Sequence, residues 1–204
     1  MSKAVYSEES KRWRFVQTLD WTRSFGKHDL GALVGYEAIR NWGFNTDMAK
    51  QGAADASLTD LSTYTELSNI TGTTWENTSR SFFGRLTYAY KSRYLFEVNA
   101  RYDGSSRFAP ESRWGFFPSF SGGWRVSEES FMQGSPFDNL KIRLSWGKLG
   151  NNSIGDYEWQ ATYSGSNYIF GDKLTSGLAQ TVIANQKLRW ESVTQTYIGL
   201  DFAI

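Results

Sequence analysis

Apolar and polar residues alternate along most of this chain, which is the period-two pattern of β-strands. The segment RYLFEVNARYD (93–103) is typical, because Tyr94, Phe96, Val98, Ala100 and Tyr102 share one face while charged and amide side chains occupy most of the other. The pattern predicts seven strands and favours an eighth near Trp159–Tyr163. The seven lie at Trp13–Trp21, Leu30–Ala38, 81–90, 93–103, 115–126, 139–148 and Val193–Phe202.

The predicted strands are long and their connections alternate in length. Most run for about 9–13 residues, close to the length of a membrane β-strand and longer than the usual strand of a soluble domain. The short connections are Arg23–His28, Lys91–Ser92 and Ser127–Asn139, the last with one helical turn capped by Ser127. The long connections are Asn41–Glu76, Gly104–Arg113 and Gly150–Leu188. Short turns at one end and long loops at the other are typical of outer-membrane barrels.

The order of residue types along each apolar face indicates that this face meets lipid. Aromatic residues lie near both ends of the strands, with Leu, Val, Ala, Ile and Gly between them. Tyr94 and Tyr102 are about 26 Å apart along a strand, which projects to about 20 Å at barrel tilt and matches an apolar band between two interfaces. We expect six membrane-interface aromatics: Trp13, Trp21, Tyr88, Tyr94, Tyr102 and Trp124.

This ordering predicts an all-β fold: an antiparallel, up-and-down transmembrane β-barrel segment of seven or eight long strands. We expect an open sheet, cut from a larger barrel, with its first and last strands unpaired. Two alternatives remain open on pattern alone. One is a soluble, lectin-like β-sandwich, and the other is a small closed outer-membrane barrel with a structural role.

Composition gives little sign of other chemistry. The 204 residues include 22 basic and 21 acidic side chains, a net charge of +1, so nothing favours nucleic acid as a partner. There is no cysteine and a single histidine, His28. Asp156, Glu158 and Asp172 lack the spacing of a calcium loop, and no nucleophile–base pattern is present. We therefore expect no enzyme activity, no metal and no cofactor.

Four segments carry a family resemblance: RYDGSSRF, RWGFFPSFSGGWRVSEESFM, LKIRLSWGKLGNNSIGDY and IANQKLRWESVTQTYIGLDF. They resemble consecutive barrel segments of SusC/RagA-like TonB-dependent outer-membrane transporters. The resemblance is specific from Tyr94 to Phe202, except across Thr162–Thr181, and generic from Lys11 to Tyr90.

The resemblance implies a bacterial outer-membrane location and a role in importing oligosaccharides, peptides or other large nutrients. It also implies three partners for the full-length parent: outer-membrane lipid, a SusD-like surface lipoprotein and the TonB complex. Such transporters have about 22 strands around a plug. Residues 1–204 are thus expected to be a partial barrel domain, about a third of the barrel, without the plug and the remaining strands.

Substrate recognition by such a protein would fall to aromatic side chains in or beside the long loops, because sugar rings stack on aromatic faces. The candidates are Trp42, Tyr64, Trp75, Trp159, Tyr163 and Tyr168. The substrate would be a glycan or a peptide, with its identity set by these loops.

Overall fold

The computed structural model describes residues 2–55 and 57–204, and over these ranges the regular structure is β-strand with four short 3₁₀ turns. None of the described residues belongs to a helix long and apolar enough to cross a bilayer. The strands are β1 Ser2–Phe25, β2 His28–Ala53, β3 Tyr64–Tyr90, β4 Tyr94–Ser105, β5 Trp114–Arg125, β6 Asn139–Asn151, β7 Thr162–Phe170, β8 Lys173–Val182 and β9 Glu191–Ala203. The 3₁₀ turns are Leu61–Thr63, Pro110–Ser112, Val126–Glu128 and Ser130–Met132.

Seven of the strands form one sheet in the order β1-β2-β3-β4-β5-β6-β9, and β7 and β8 form a separate hairpin. The pairs from β3 to β9 are antiparallel. Phe15 in β1 and Ile198 in β9 lie on the two edge strands of this order, so over the described residues the sheet is open. The predicted fold class is confirmed, and the small closed barrel is not the fold of this chain.

The chain divides into two compact units. The first contains the residues up to Arg14 together with Ile39–Thr78, and the second contains Phe15–Ala38 and Ser79–Ile204. In the first unit, Arg40 forms two hydrogen bonds of 2.9 Å to the Glu76 carboxylate. The Asn41 side-chain amide donates to the Asn77 side-chain oxygen over 2.8 Å. These pairs join β2 to β3.

In the second unit, the register brings apolar residues of neighbouring strands together on one face, the apolar face. Phe82 is opposite Tyr102, which is opposite Phe116; Leu144 is opposite Ile198. These side chains are exposed, with Leu144 at 53% and Ile198 at 75% of full exposure. An apolar face this large and this exposed suits lipid rather than water.

Aromatic rings contact one another near both ends of the apolar face. Next to the Lys91–Ser92 turn, the Tyr94 ring stacks on Tyr90 at 6.3 Å and on Trp124 at 6.4 Å. Near the opposite end of β4, the Tyr102 ring stacks on Trp114 at 4.8 Å. Their role at the membrane interface stays a prediction.

Two expectations about connections and one about the start of a strand were wrong. Residues 41–76 are mostly strand, because β2 continues to Ala53 and β3 begins at Tyr64. The segment from Gly150 to Leu188 contains the β7–β8 hairpin, and β7 begins at Thr162 rather than near Trp159. The sequence after Phe44 is mostly polar and small and has no period-two apolar face, so it resembled a loop. The predicted short connection Arg23–His28 is shorter in the structure, a turn at Gly26–Lys27, and the predicted Lys91–Ser92 turn extends to Arg93.

The connection between β5 and β6 is held by Glu129 rather than capped by Ser127. It contains two 3₁₀ turns, and Ser127 lies inside the first, which has no side-chain cap. The Glu129 carboxylate accepts hydrogen bonds from the Tyr94 hydroxyl (2.6 Å), the Trp124 indole N–H (3.2 Å) and Arg93 (3.1 Å). These hydrogen bonds, that from Tyr94 first and that from Trp124 next, hold the pKa of Glu129 below its ordinary value. One carboxylate thus links the turn to two rings of the apolar face.

Introducing a charge on the apolar face should disrupt the protein, whereas the same charge on the polar face should not. Leu144→Arg, in the full-length parent, is expected to cost about 2–4 kcal/mol at mid-bilayer and to block assembly. Ser145→Arg, one residue further on the polar face, is the matched control and should assemble normally. Assembly is measured as the heat-modifiable, protease-resistant fraction in outer membranes. Equal assembly of both variants would contradict the outward assignment of Leu144.

Glu129→Gln should remove an acid-dependent part of the stability. Because the folded-state pKa of Glu129 is lowered, its contribution is present above the ordinary carboxyl pKa and is lost as pH falls through the lowered value. Urea unfolding in detergent from pH 7 to pH 3 should therefore give a wild-type advantage over Glu129→Gln that shrinks with acidity. Glu128→Gln is the matched control, because it alters the neighbouring exposed carboxylate and leaves the hydrogen bonds to Glu129 in place. If the free energy of unfolding depended on pH in the same way in wild type and Glu129→Gln, the Glu129 carboxylate would not stabilise the fold as described.

Candidate functional site

The polar face of the second unit is concave. It encloses a groove of about 720 Å³ whose lining comes from all seven strands of the sheet. Most of the lining side chains are small or charged and alternate with those of the apolar face: Thr22, Ser24, Asp29, Gly31, Thr87, Glu97, Ser121, Gly123, Lys141, Arg143 and Ser145. The small side chains leave the groove wide, and the charged side chains favour its hydration.

Arg101 organises the polar face across β2, β3 and β4. One guanidinium nitrogen donates to the Glu37 carboxylate and to the Ser81 hydroxyl, each over 2.9 Å, and Nε donates to Asp103 over 2.8 Å. Glu37 and Ser81 are buried, and a buried carboxylate is stable only when it is paired. Arg101 therefore satisfies two carboxylates on two different strands.

Aromatic rings on the polar face lie over glycines. The Phe83 ring covers Gly35, where a Cβ would come within 2.3 Å of it, and the Arg101 guanidinium lies 5.3 Å from the same ring. Phe117 occupies the space beside Gly150 in the same way. Glycine at these positions lets a large ring lie flat against the sheet instead of filling the groove.

A second ion pair links β6 to β9. Arg143 donates to the Asp201 carboxylate over 2.7 Å and lies 5.8 Å from the Tyr197 ring. Both arginine and carboxylate are about 40% exposed, so this pair orients the two side chains more than it stabilises the fold.

The connections at the other end of β4, β5 and β6 form a small core of their own. Phe108 is fully buried, and its ring lies 5.3 Å from Trp190, which also contacts Phe117 at 5.2 Å. The Trp190 indole N–H donates to the Arg113 carbonyl over 2.9 Å. This core holds the β4–β5 loop against the segment before β9.

An ion pair joins the same loop to the segment after β6. Arg107 donates to the Asp156 carboxylate over 2.8 Å and to the Asn152 carbonyl over 3.3 Å. The Asn152 amide in turn donates to the Ser105 hydroxyl over 3.3 Å. Three separate connections are therefore fixed to one another.

The six predicted substrate-binding aromatics lie in different settings. Trp42, Tyr64 and Trp75 are in strands of the first unit, not in a loop. Tyr64 is buried, and its hydroxyl donates to the Leu58 carbonyl over 3.4 Å. Trp42 lies 5.0 Å from the Arg40 guanidinium, while Trp75 covers Gly43. Since residues 42 and 43 are adjacent in β2, the two indoles lie on opposite faces.

The other three candidates belong to the second unit. Trp159 lies before β7, and its carbonyl accepts from the Asn185 N–H over 3.2 Å. Tyr163 and Tyr168 are exposed residues of β7, at 60% and 64%. Their positions differ by five, an odd number, so they lie on opposite faces of the hairpin. The structure therefore does not bring Tyr163 and Tyr168 together.

The predicted interface aromatics are strand residues throughout. Tyr88 stacks on Phe96 at 6.3 Å, and its hydroxyl lies 2.8 Å from Nδ1 of His28. Trp13 and Trp21 are exposed on β1. Sequence reasoning missed Trp114, although it continues the apolar alternation of β5. It also missed the Arg101 and Glu129 contacts, for which the only available signal was a charge within an alternating strand or turn.

Comparison with known proteins identifies the fold. A family model for the TonB-dependent receptor-like β-barrel matches residues 2–203. The TonB-dependent receptor SusC of Bacteroides thetaiotaomicron is 36% identical over 190 residues, covering 90% of this chain and 18% of that protein. The TonB-dependent receptor P3 of Formosa agariphila is 34% identical over 189 residues, covering 91% of this chain and 19% of that protein.

Solved structures agree with the sequence relatives. The structure of the RagAB peptide transporter superimposes with a TM-score of 0.82 at 30% identity, covering 98% of this chain and 22% of that one. The chain thus spans about a fifth of the length of the proteins it matches. It belongs to the TonB-dependent receptor family, as a segment of the outer-membrane β-barrel.

Proposed function

We propose that this chain is part of the barrel of a TonB-dependent receptor that imports a large nutrient across the outer membrane. The family match over residues 2–203 carries the proposal. The wide, polar groove beside an exposed apolar face supports it, because a transport barrel needs a wet interior and a lipid-facing exterior.

The groove suits a second protein body more than a small ligand. Its lining of Ser, Thr and Gly side chains leaves room, and its charged residues of both signs offer partners to a polar surface. We propose that the plug domain of the full receptor fills this groove, and that residues 1–204 are a partial barrel domain of that receptor. The TonB complex and a SusD-like surface lipoprotein are the proposed partners, with no role for nucleic acid and no catalytic role.

The proposed substrate is an oligosaccharide or a peptide. Similarity to the RagAB peptide transporter favours including peptides, and the exposed rings also suit stacking on sugars. Of the six candidate aromatics, Trp42, Trp75, Trp159, Tyr163 and Tyr168 remain proposed substrate contacts. Tyr64 is buried, so its proposed contribution is to pack the strands that present the others.

Uptake by the full receptor should depend on TonB and on the aromatic rings of the β7–β8 hairpin. The probes are a fluorescently labelled oligosaccharide mixture and a fluorescently labelled peptide mixture, given to cells with and without the receptor gene. Replacing both Tyr163 and Tyr168 with Ala removes the ring from each face of the hairpin, and it should lower the affinity for the imported probe about two- to tenfold, the effect of one ring contact of about 0.5–1.5 kcal/mol.

The matched control replaces Leu174 and Leu178 with Ala, which removes exposed apolar side chains from the same hairpin without removing a ring. This control should import normally. Uptake of both probes that is unchanged by deletion of the receptor gene or of TonB would contradict the proposed function. A tyrosine variant equal to its control would contradict only the assigned contacts.

A further inference from the structure

We propose that a shallow pocket between two short turns binds the phosphate headgroup of an anionic membrane phospholipid. The pocket has a volume of about 410 Å³ and lies between the β1–β2 turn and the β3–β4 turn. Its lining residues are Gly26, Lys27, Asp29, Lys91, Ser92, Arg93 and Glu128. Three of these are cationic and two are anionic.

A backbone hydrogen bond fixes the two turns side by side. The Lys91 N–H donates to the Lys27 carbonyl over 2.7 Å, and the Arg93 N–H closes its own turn on the Tyr90 carbonyl over 3.0 Å. The two lysines therefore arise from neighbouring points on one rim. A phosphate group presents several oxygens, so it can accept hydrogen bonds from both ammonium groups at once.

The two lysines are the available cations of the pocket. Arg93 is already paired with the Glu129 carboxylate at 3.1 Å. Asp29 accepts a hydrogen bond from the Ser24 hydroxyl. Neither Lys27 nor Lys91 forms an ion pair with any residue in ranges 2–55 and 57–204. Asp29 and Glu128 also line the pocket, so an anionic headgroup would have to contact the two lysine ammonium groups rather than the pocket as a whole.

The position of Lys91 places its charge beside the lipid-facing surface. Its ammonium nitrogen lies 5.4 Å from the centre of the Tyr90 ring, which belongs to the stack with Tyr94 and Trp124 on the apolar face. Aromatic rings at this level sit among lipid headgroups, and a lysine extending past them reaches the phosphates. A phospholipid is therefore favoured over a ligand dissolved in water.

Lys91 and Ser92 adopt backbone conformations that are unfavourable for their residue types. Both residues have positive φ, 52° and 55°, and they are the two central residues of the turn that the Arg93 N–H closes on the Tyr90 carbonyl. Asn and Gly are the preferred residues at two such positions. Side chains other than Gly, Asn and Asp are unfavourable in this region. Backbone strain of this kind is common at binding sites. Here a lysine occupies a position where the backbone conformation of the turn favours asparagine.

Because the turn is strained, a variant can lose the lysine without losing stability, so its effect on lipid binding can be separated from an effect on folding. The double change Lys91→Asn and Ser92→Gly removes the ammonium group and installs the preferred turn pair, so the hairpin should fold at least as well. Lys27→Gln removes the second cation without altering Gly26, whose positive φ of 62° the first turn requires. Lys173→Gln, in the β7–β8 hairpin, is the control for loss of one positive charge elsewhere.

Native mass spectrometry of the full-length receptor in detergent, titrated with phosphatidylglycerol, tests the proposal. The first lipid should bind about fivefold more weakly in the Lys91→Asn/Ser92→Gly variant, and about 25-fold more weakly when Lys27→Gln is added. Lys173→Gln should bind as wild type, and the thermal stability of the double variant should equal or exceed that of wild type.

Two further ligands test whether the pocket recognises the phosphate of a lipid or phosphate dissolved in water. Diacylglycerol with the same acyl chains lacks the phosphate, so its binding should not differ between wild type and variants. Inorganic phosphate should not displace the lipid at equal concentration. Unchanged phosphatidylglycerol affinity in the variants, an equal loss for diacylglycerol, or displacement by inorganic phosphate would each overturn the assignment.

Discussion

The structure depends on one constraint: within the second unit, each strand of the sheet must present one face to hydrocarbon and the other to water. In lipid, backbone N–H and C=O groups have no solvent partner, so the chain has to satisfy them by pairing strands. Pairing in register then brings alternate side chains together across strands, as Phe82, Tyr102 and Phe116 show. The polar groove, the exposed apolar face and the aromatic contacts are consequences of that alternation.

Charged side chains on the polar face fix the strands that the backbone pairs. Arg101 connects Glu37 on β2 with Asp103 on its own strand and with Ser81 on β3, and Arg143 connects β6 to Asp201 on β9. Glu129 lies in the connection between β5 and β6, where its carboxylate accepts hydrogen bonds from Tyr94, Trp124 and Arg93. Charge therefore appears on the wet face and at the rims, where water or a partner can compensate it.

The sequence predicted the fold wherever one face of a strand meets a different environment from the other. Strands β4, β5, β6 and β9 and the turns at Gly26–Lys27 and Lys91–Ser92 follow from alternation and turn position. The extension of β2 to Ala53 did not, because its sequence after Phe44 is mostly polar and small and has no period-two apolar face. The sequence also did not reveal how the predicted aromatics are placed. Tyr64 is buried, and Tyr163 and Tyr168 lie on opposite faces of the β7–β8 hairpin.

The most direct test of the lipid-facing assignment uses β4, since the chain has no cysteine to interfere. Single cysteines at 96, 97, 98 and 99 of a full-length receptor without other cysteines would carry an environment-sensitive fluorophore in liposomes containing brominated lipids. The account predicts strong quenching from positions 96 and 98 and weak quenching from 97 and 99. Quenching that does not alternate, or that is stronger from 97 and 99, would contradict it.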